Sequence, residues 1–317
     1  MNGCKRVSTL GMSREEWLEK RKGSIGGSDA AAILGISRFA TPYTVWADKT
    51  GRLPPAEDTE AARQGRDLEE YVARRWTEAT GRRVGKGNAM LYNQAYPFAH
   101  ADVDRRVIGE NAGLECKTTS SISLKKFRGV EFPEQYYVQC VHYLAVTGWD
   151  RWYLAVLVLG REFLHYTLER DQAEIDALMG AERDFWLLVE NDTPPGMDGN
   201  ELTSSALREV YEATDRGDVV DLQEREMLLL EYRRLLAVRT ENERRIRQIK
   251  QTLMQDLGGA EEGRCGNFRV GWKPQKRVFL SAEKLRKVYP RLDLSKVMSV
   301  AKYRRFSVQE ENGHATD

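Results

Sequence analysis

The segment from His100 to Thr119, HADVDRRVIGENAGLECKTT, constrains the fold most, because it reads as two short β-strands joined by a turn. The first strand carries Asp104, and the second carries Glu115, Cys116 and Lys117. Side chains alternate along a strand, so Glu115 and Lys117 are expected on one face and Cys116 on the other. Two carboxylates beside an amine can hold a divalent metal ion and a base together, which suits phosphodiester hydrolysis. The same residues could instead form a surface ion pair.

The amino-acid composition is that of an ordinary globular protein. Of the 317 residues, 41% are hydrophobic and 31% are charged, and no apolar run approaches the length of a membrane span. The four cysteines are scattered and form no CxxC pair, so neither a disulfide framework nor a zinc knuckle is predicted. The N-terminus lacks the apolar core of a signal peptide, and a reducing cytoplasm is the expected location.

Charge is distributed unevenly along the chain. The net charge is only +1, but the stretch from Arg264 to Phe306 holds thirteen Lys and Arg against two acidic residues. Aromatic residues are interleaved with these charges, which favours a folded basic module, residues 264–308, that faces a polyanion. The alternative is a solvated charged face.

A segment rich in Pro and Gly, Asn191 to Gly196, is the predicted domain boundary. It separates a first domain, residues 1–198, from an extension, residues 199–317. Within the extension, apolar residues recur at spacings of 3 and 4 over residues 221–257, which predicts one long helix with a heptad seam. Such a helix needs a partner, either within the chain or on another subunit.

A second acidic candidate lies on the predicted helix from Thr59 to Thr80. Leu68, Val72 and Trp76 follow helical spacing and should face the core, and Glu69 lies at the edge of that buried stripe. A carboxylate in this position could supply a third acidic arm to a metal site. The alternative is a surface Glu in a salt-bridged helix.

The glycine-rich segment GSIGGSDAAAILG predicts a tight turn into a helix. Gly26 and Gly27 allow the turn, Ser28 can cap the helix, and Arg21 lies just upstream. Backbone N–H groups at a helix start attract phosphate, so this segment is a candidate phosphate site. No Gly-Lys-Ser/Thr follows, so it is not a Walker loop. A purely structural cap is the alternative.

The carboxylate oxygens of Asp104 and Glu115 are hard ligands that suit Mg²⁺ or Mn²⁺. Lys117 could act as the base if burial and a nearby cation lowered its pKa. Asp102, two residues before Asp104, should point to the same face of a strand, as a further ligand or only a neighbour. The histidines lack any regular ligand spacing and offer no rival site.

Four motifs in this order resemble the YqaJ-type phage recombination nucleases, relatives of lambda exonuclease within the PD-(D/E)xK superfamily. The resemblance runs from about Trp17 to Pro195, and its motifs are WLEKRKGSIGGSDAAAILG, GRDLEEYVARRW, DVDRRVIGENAGLECKTT and QCVHY. It implies an α/β (α+β) fold, with a restriction-endonuclease-like core of a mixed central β-sheet flanked by helices. The C-terminal long helix and small basic α/β extension go beyond the minimal nuclease of the family.

The resemblance also implies an activity and roles for single residues. The activity is metal-dependent degradation of double-stranded DNA from a 5′ end, which leaves 3′ single strands; an endonuclease and a non-catalytic DNA-binding module are the alternatives. The roles assigned by resemblance are metal binding by Asp104, Glu115, the Cys116 carbonyl and Glu69, catalysis by Lys117 with help from Gln139, and 5′-phosphate binding by Arg21 and Ser28. Lys125 and Lys126 are added as DNA-contact candidates, and Tyr143 joins Asp102 as a further candidate.

By the same resemblance, the expected partners are double-stranded DNA, a single-strand annealing protein of the RecT or Bet type, and further copies of the chain in a ring-shaped trimer. A bacterial host cytoplasm and a phage or prophage origin are expected, with no membrane partner. The chain departs from the family pattern at Val103 and Arg105, where Pro and Gly often flank the motif Asp. The extension is predicted to hold duplex DNA or the annealing partner beside the active site.

Overall fold

In a computed structural model of the chain, Glu115 and Lys117 lie on an eight-residue strand in the middle of a five-stranded sheet. The structure describes residues 4–55, 57–121, 125–127, 130–211, 219–277, 281–289, 306 and 308. The chain divides into two compact units, Met1–Glu212 and Ala213–Asp317. Each unit is described by itself below.

The first unit alternates strands and helices. Its strands are β1 (Cys4–Ser8), β2 (Ile25–Gly26), β3 (Val84–Lys86), β4 (Ala89–Asn93), β5 (Tyr96–Asp102), β6 (Arg105–Val107), β7 (Ala112–Thr119), β8 (Lys125–Phe127), β9 (Val130–Phe132), β10 (Arg151–Val158) and β11 (Glu162–Glu169). Its helices are α1 (Arg14–Lys22), α2 (Gly27–Ile33), α3 (Pro42–Lys49), α4 (Glu60–Thr80), α5 (Glu134–Thr147), α6 (Gln172–Glu190) and α7 (Glu201–Val210).

Two larger sheets organise these elements. One has the strand order β1-β4-β5-β2, and the other has the order β11-β10-β7-β6-β3. In the second sheet β7 pairs in parallel with β10 and antiparallel with β6, so the sheet is mixed. The predicted fold class, a mixed α/β fold with a central sheet flanked by helices, is confirmed.

The chain passes from one sheet to the other at Val103 and Asp104. Strand β5 belongs to the four-stranded sheet and ends at Asp102, while β6 begins at Arg105 in the five-stranded sheet. The prediction of one continuous strand through Asp104 is therefore wrong. The alternation that placed Asp102 and Asp104 on one face does not apply across this break, because the two residues belong to different backbone segments.

The two faces of β7 pack against different helices. Leu114 is fully buried in an apolar layer that includes Val72 and Trp76 of α4, and Cys116 packs against the same layer. On the neighbouring strand, Trp152 belongs to a second apolar layer, which includes many residues of α5. Glu115 and Lys117 point to the face opposite Leu114 and Cys116, as the alternation of strand side chains predicts. Helix α4 thus covers one face of the strand and the charged pair lies on the other.

The end of the first unit lies beyond the predicted boundary at residue 198. The Oγ1 atoms of Thr203 on α7 and Thr41 before α3 are 2.8 Å apart, and Ala206 is buried in the core. Helix α7 is therefore part of the first compact unit. The functional division into residues 1–198 and 199–317 stays a prediction.

A long helix is the largest element among the described residues of the second unit. Its elements are a 3₁₀ turn at Gln223–Arg225, α8 (Glu226–Leu257), β12 (Glu262–Cys265), β13 (Phe268–Gly271) and α9 (Ala282–Val288). Strands β12 and β13 form an antiparallel hairpin. Much of the predicted basic module, including residues 290–305, lies outside the described residues. Within the described ranges, no helix has the length and apolar character needed to cross a membrane.

Candidate active site

Glu115 lies at the centre of a network of buried polar groups. Its side chain is almost completely buried, and its Oε1 accepts hydrogen bonds from Lys117 Nζ at 2.6 Å and from Gln139 Nε2 at 2.7 Å. The other oxygen, Oε2, is buried and has no hydrogen-bond partner in the described part of the chain. A buried carboxylate oxygen without a partner is unfavourable unless a ligand completes it.

Asp104 joins this network from the crossing between the two sheets. Its Oδ2 accepts a hydrogen bond of 2.9 Å from the backbone N–H of Cys116. Burial, and then the neighbouring carboxylates of Glu115 and Glu69, raise the pKa of Asp104 well above its ordinary value. Burial also raises the pKa of Glu115, although Lys117 opposes this effect. Two buried carboxylates that resist ionisation next to each other are suited to share a cation.

Lys117 differs from the expectation of a lowered pKa. Burial alone would lower the pKa of this amine, but the Glu115 and Asp104 carboxylates beside it outweigh burial and raise the pKa above its ordinary value. The side chain also lies over the ring of Tyr136, with Nζ 5.5 Å from the ring centre. As long as both carboxylates carry their charge, Lys117 is an ammonium group.

Helix α5 supplies the amide that holds Glu115. Gln139 Nε2 also donates to the hydroxyl oxygen of Tyr143 at 2.9 Å, so the two residues form one buried chain of hydrogen bonds. This arrangement depends on Gly27 at the start of α2, because a Cβ atom there would lie 2.6 Å from the Tyr143 ring. Gln139 and Tyr143 are four residues apart, so they lie on one face of α5, and Gln139 connects this face to Glu115.

Glu69 is held in place by an ion pair with Arg105. Its Oε1 accepts a hydrogen bond from the guanidinium of Arg105, which also donates to Glu70 Oε2 at 3.1 Å. Among the described residues, no three His, Cys, Asp or Glu side chains form a group that could hold a metal ion. Glu69 lies near both other acids, because it contributes to the raised pKa of Asp104 and of Glu115 and borders one cleft with Asp104. Its expected role as a metal ligand stays a prediction.

The predicted phosphate-binding residues Arg21 and Ser28 do lie together. The Arg21 guanidinium donates to Ser28 Oγ at 2.7 Å and lies over the Trp17 ring, 4.6 Å from its centre. The residues border a cleft of about 370 Å³. Asp102 contacts this group, with Oδ2 3.6 Å from Arg21 Nε and 3.5 Å from His100 Nε2, and it also borders one cleft with Asp104. Its role, as a further metal ligand or only a neighbour of Asp104, stays a prediction.

A buried ion pair stabilises the floor of this cleft. Lys49 Nζ lies 2.8 Å from Asp29 Oδ2 and donates to the Arg21 carbonyl at 2.8 Å. Burial alone would raise the pKa of Asp29, but Lys49, Arg21 and the Gly26 N–H lower it to about 2. Because the pKa of Asp29 in the folded protein is below its unfolded value of 3.8, the ionised carboxylate stabilises the fold at pH values above 3.8. This contribution to stability is lost as the pH falls toward 2.

We expect the Asp29→Asn variant to lose about 2 kcal/mol of unfolding free energy at pH 7, because the pKa difference of nearly two units is removed and Lys49 loses its partner. The difference in unfolding free energy between wild type and variant should shrink below pH 4 and close near pH 2. Urea unfolding at several pH values measures this difference. Asp67→Asn, an exposed carboxyl on α4, is the matched control and should change stability by less than about 0.5 kcal/mol at any pH. A gap at pH 7 that persists unchanged to pH 2 would contradict the assignment.

Two groups at the site were missed from sequence. Tyr136 precedes Gln139 by three residues and Tyr143 by seven, so helical spacing alone could have placed it on the same face. Arg105 follows Asp104 directly, but its partners Glu69 and Glu70 are distant in sequence and carry no local signal. Lys125 and Lys126 lie on β8, and their side chains are outside the described part. Their role, like that of the Cys116 carbonyl, stays a prediction.

Comparisons with known proteins place the chain among its relatives. Residues 16–150 match the model of the YqaJ-like viral recombinase domain. The chain is 36% identical over 304 residues to the YqaJ protein of Bacillus subtilis strain 168, and the match covers 94% of this chain and 95% of that protein.

Solved structures with partial similarity include two exonucleases. An alkaline exonuclease from Laribacter hongkongensis aligns with a TM-score of 0.43 at 18% identity, covering 56% of this chain and 93% of that one. A phage-related exonuclease from Haemophilus somnus 129PT aligns with a TM-score of 0.38 at 13% identity, covering 54% and 96% of the two chains. The full-length similarity to the Bacillus protein and the domain match decide the family: the chain belongs to the YqaJ-like viral recombinase family.

Proposed function

We propose that the protein is a divalent-metal-dependent deoxyribonuclease that degrades double-stranded DNA from the 5′ end. The observation that carries the proposal is the pair of carboxylates formed by the half-buried Asp104 and the buried Glu115, with Lys117 Nζ 2.6 Å from Glu115 Oε1. Membership of the YqaJ-like family supports it, since the predicted roles of these residues come from that resemblance.

The residues present fit the metal ion that the family implies. Glu115 Oε2 is buried without a partner, and the pKa of Asp104 is raised by burial and by neighbouring carboxylates, so a cation would relieve both. Asp104 and Glu115 would hold it, together with the Cys116 carbonyl, and their oxygens suit Mg²⁺ or Mn²⁺. When bound, such an ion lowers the pKa of water and neutralises charge on the phosphate oxygens.

Lys117 is the group we assign to proton transfer in this site. Its Nζ would take the proton of the attacking water if a bound cation offset the negative charge of Glu115 and Asp104, which raises the pKa of this amine. Gln139 fixes the position of Glu115 through its 2.7 Å hydrogen bond, and the Tyr143 hydroxyl accepts a second hydrogen bond from the same amide. These contacts hold the carboxylate in one orientation before substrate arrives.

Arg21 and Ser28 would bind a terminal 5′-phosphate. A guanidinium and a hydroxyl that already contact each other form a ready anion site, because both can donate to phosphate oxygens. Arg21 contacts Asp102, which is two residues before Asp104 in the chain. The backbone therefore connects the phosphate site to the carboxylate pair. An end-recognising phosphate site beside a hydrolytic centre favours an exonuclease over an endonuclease.

The product would be a duplex with 3′ single strands. We propose that a single-strand annealing protein of the RecT or Bet type receives it, and that the chain acts on DNA as a ring-shaped trimer. The second unit, with its long helix α8, would contact the duplex or that protein. Family resemblance supports these three proposals.

One nuclease assay tests the proposed function. We expect linear duplex with 5′-phosphates to be degraded in Mg²⁺ or Mn²⁺, 5′-hydroxyl duplex to be degraded more slowly, and neither to be degraded with a chelator present. Covalently closed circles should stay intact. Cleavage of closed circles would favour an endonuclease, and binding without any cleavage would favour a non-catalytic DNA-binding module.

A further inference from the structure

Arg105 is a buried cation next to the carboxylate pair that the proposed mechanism does not use. The residue is only 4% exposed, although its guanidinium is permanently charged. It donates to Glu69, to Glu70 Oε2 at 3.1 Å and to the main-chain oxygen of Asp104 at 2.8 Å. A buried guanidinium requires such partners, because an unpaired charge away from water is strongly unfavourable.

The sheet explains why Glu69 meets Arg105 and not the other acids. Helix α4 packs on the face of β7 that carries Leu114 and Cys116, whereas Glu115 and Lys117 occupy the opposite face. Glu69 therefore approaches the site from the α4 side of β7, and it borders a cleft of about 310 Å³ with Asp104 and Arg105. It is close enough to raise the pKa of Asp104, but its Oε1 is occupied by Arg105.

The contacts of Arg105 are specific. Two consecutive glutamates of α4 reach the same guanidinium, and Lys86 Nζ lies 3.6 Å from the second of them. Because Arg105 also contacts the backbone of Asp104, it links the start of β6 to the helix and fixes where the chain crosses between sheets. The neighbouring Arg106 is exposed and pairs its backbone with Gly113 on β7, so it shares the strand but not these contacts.

We propose that Arg105 is a positioning residue that keeps Glu69 as an ion-paired carboxylate, so that Asp104 and Glu115 alone provide the carboxylate ligands of the divalent ion. The inference rests on the proposed metal-dependent function and departs from the ligand role that family resemblance gives Glu69. The absence of a three-acid group within the described ranges supports it. If an uncharged residue replaced Arg105, Glu69 would be free to bind the divalent ion, and a positive charge that repels this ion would be lost.

The test is a double-mutant cycle read by calorimetric titration of the full chain with Mn²⁺, without DNA. Asp104→Asn should raise the Kd for Mn²⁺ by about tenfold or more, whereas Glu69→Gln should change it by less than about twofold. Arg105→Met should lower the Kd. In the Arg105→Met background, Glu69→Gln should then raise the Kd by about fivefold or more, because Glu69 has become a ligand.

Arg106→Met is the matched control and should leave the Kd within about twofold of wild type. Thermal unfolding checks that each variant is folded, and Arg105→Gln, which also removes the charge, replaces Arg105→Met if the latter does not fold. A loss of Mn²⁺ affinity in Glu69→Gln as large as that in Asp104→Asn would overturn the role of Arg105 and leave the proposed function intact. If the wild type did not bind Mn²⁺, or if Asp104→Asn bound it as tightly as the wild type, the role of Arg105 and the proposed metal-dependent function would both be overturned.

Discussion

Replacement of Lys117 by alanine is expected to slow DNA hydrolysis by about 10³-fold while DNA binding persists. The side chain lies at the carboxylate pair, with Nζ 2.6 Å from Glu115 Oε1, so its removal takes away the group proposed to accept the proton of the attacking water. Arg21 and Ser28 contact each other and not Lys117, so the phosphate site should stay formed. The loss should therefore appear in the rate of the chemical step.

Single-turnover cleavage of a 5′-phosphorylated duplex in Mg²⁺ measures that step, and fluorescence anisotropy with a chelator present measures binding. Lys86→Ala is a matched control, because this lysine is exposed and lies 3.6 Å from Glu70 rather than from the carboxylate pair. It should keep its rate within about threefold of wild type. Full activity in Lys117→Ala would refute the assignment of the base, and a parallel loss of binding would point to a structural role for the lysine.

Local patterns predicted the parts of the site that depend on one element. Strand alternation predicted Glu115 and Lys117 on one face, and the spacing of four residues between Gln139 and Tyr143 puts them together on α5. Both rules hold because side-chain direction within a strand or helix follows from backbone geometry alone. Ser13 and Glu16 also form a capping box at the start of the helix that carries Arg21, and this contact too is set by local sequence.

The parts that depend on how strands are distributed between sheets could not be predicted. Nothing in the residues Asp102 to Arg105 shows that the backbone leaves one sheet and enters another, because strand pairing is set by partners far along the chain. The consequences were the unpredicted contacts of Asp102 with Arg21 and His100 and the missed ion pair of Arg105 with Glu69. The raised pKa of Lys117 has the same origin, since it depends on which carboxylates the fold brings beside it.

The crossing between the sheets also depends on one glycine. A Cβ atom on Gly87 would lie 1.9 Å from the carbonyl oxygen of Val103, far inside any permitted contact, and the Gly87 N–H donates to the Asp104 carbonyl at 3.2 Å. The close neighbour is main chain rather than a flexible side chain, so it cannot move aside without displacing Asp104. Only glycine fits beside this part of the backbone.

We therefore expect Gly87→Ala to lower the unfolding free energy by about 3 kcal/mol or more, and to weaken Mn²⁺ binding in whatever fraction stays folded. Urea unfolding at pH 7 measures the first effect and calorimetric titration the second. Gly85→Ala is the matched control, on the strand that ends one residue before Gly87, because a Cβ atom there has no neighbour within 4 Å; it should change stability by less than about 1 kcal/mol. Equal stability of the two variants would mean that the backbone at Val103 does not approach Gly87 as closely in solution, and the argument that this contact positions Asp104 would fail.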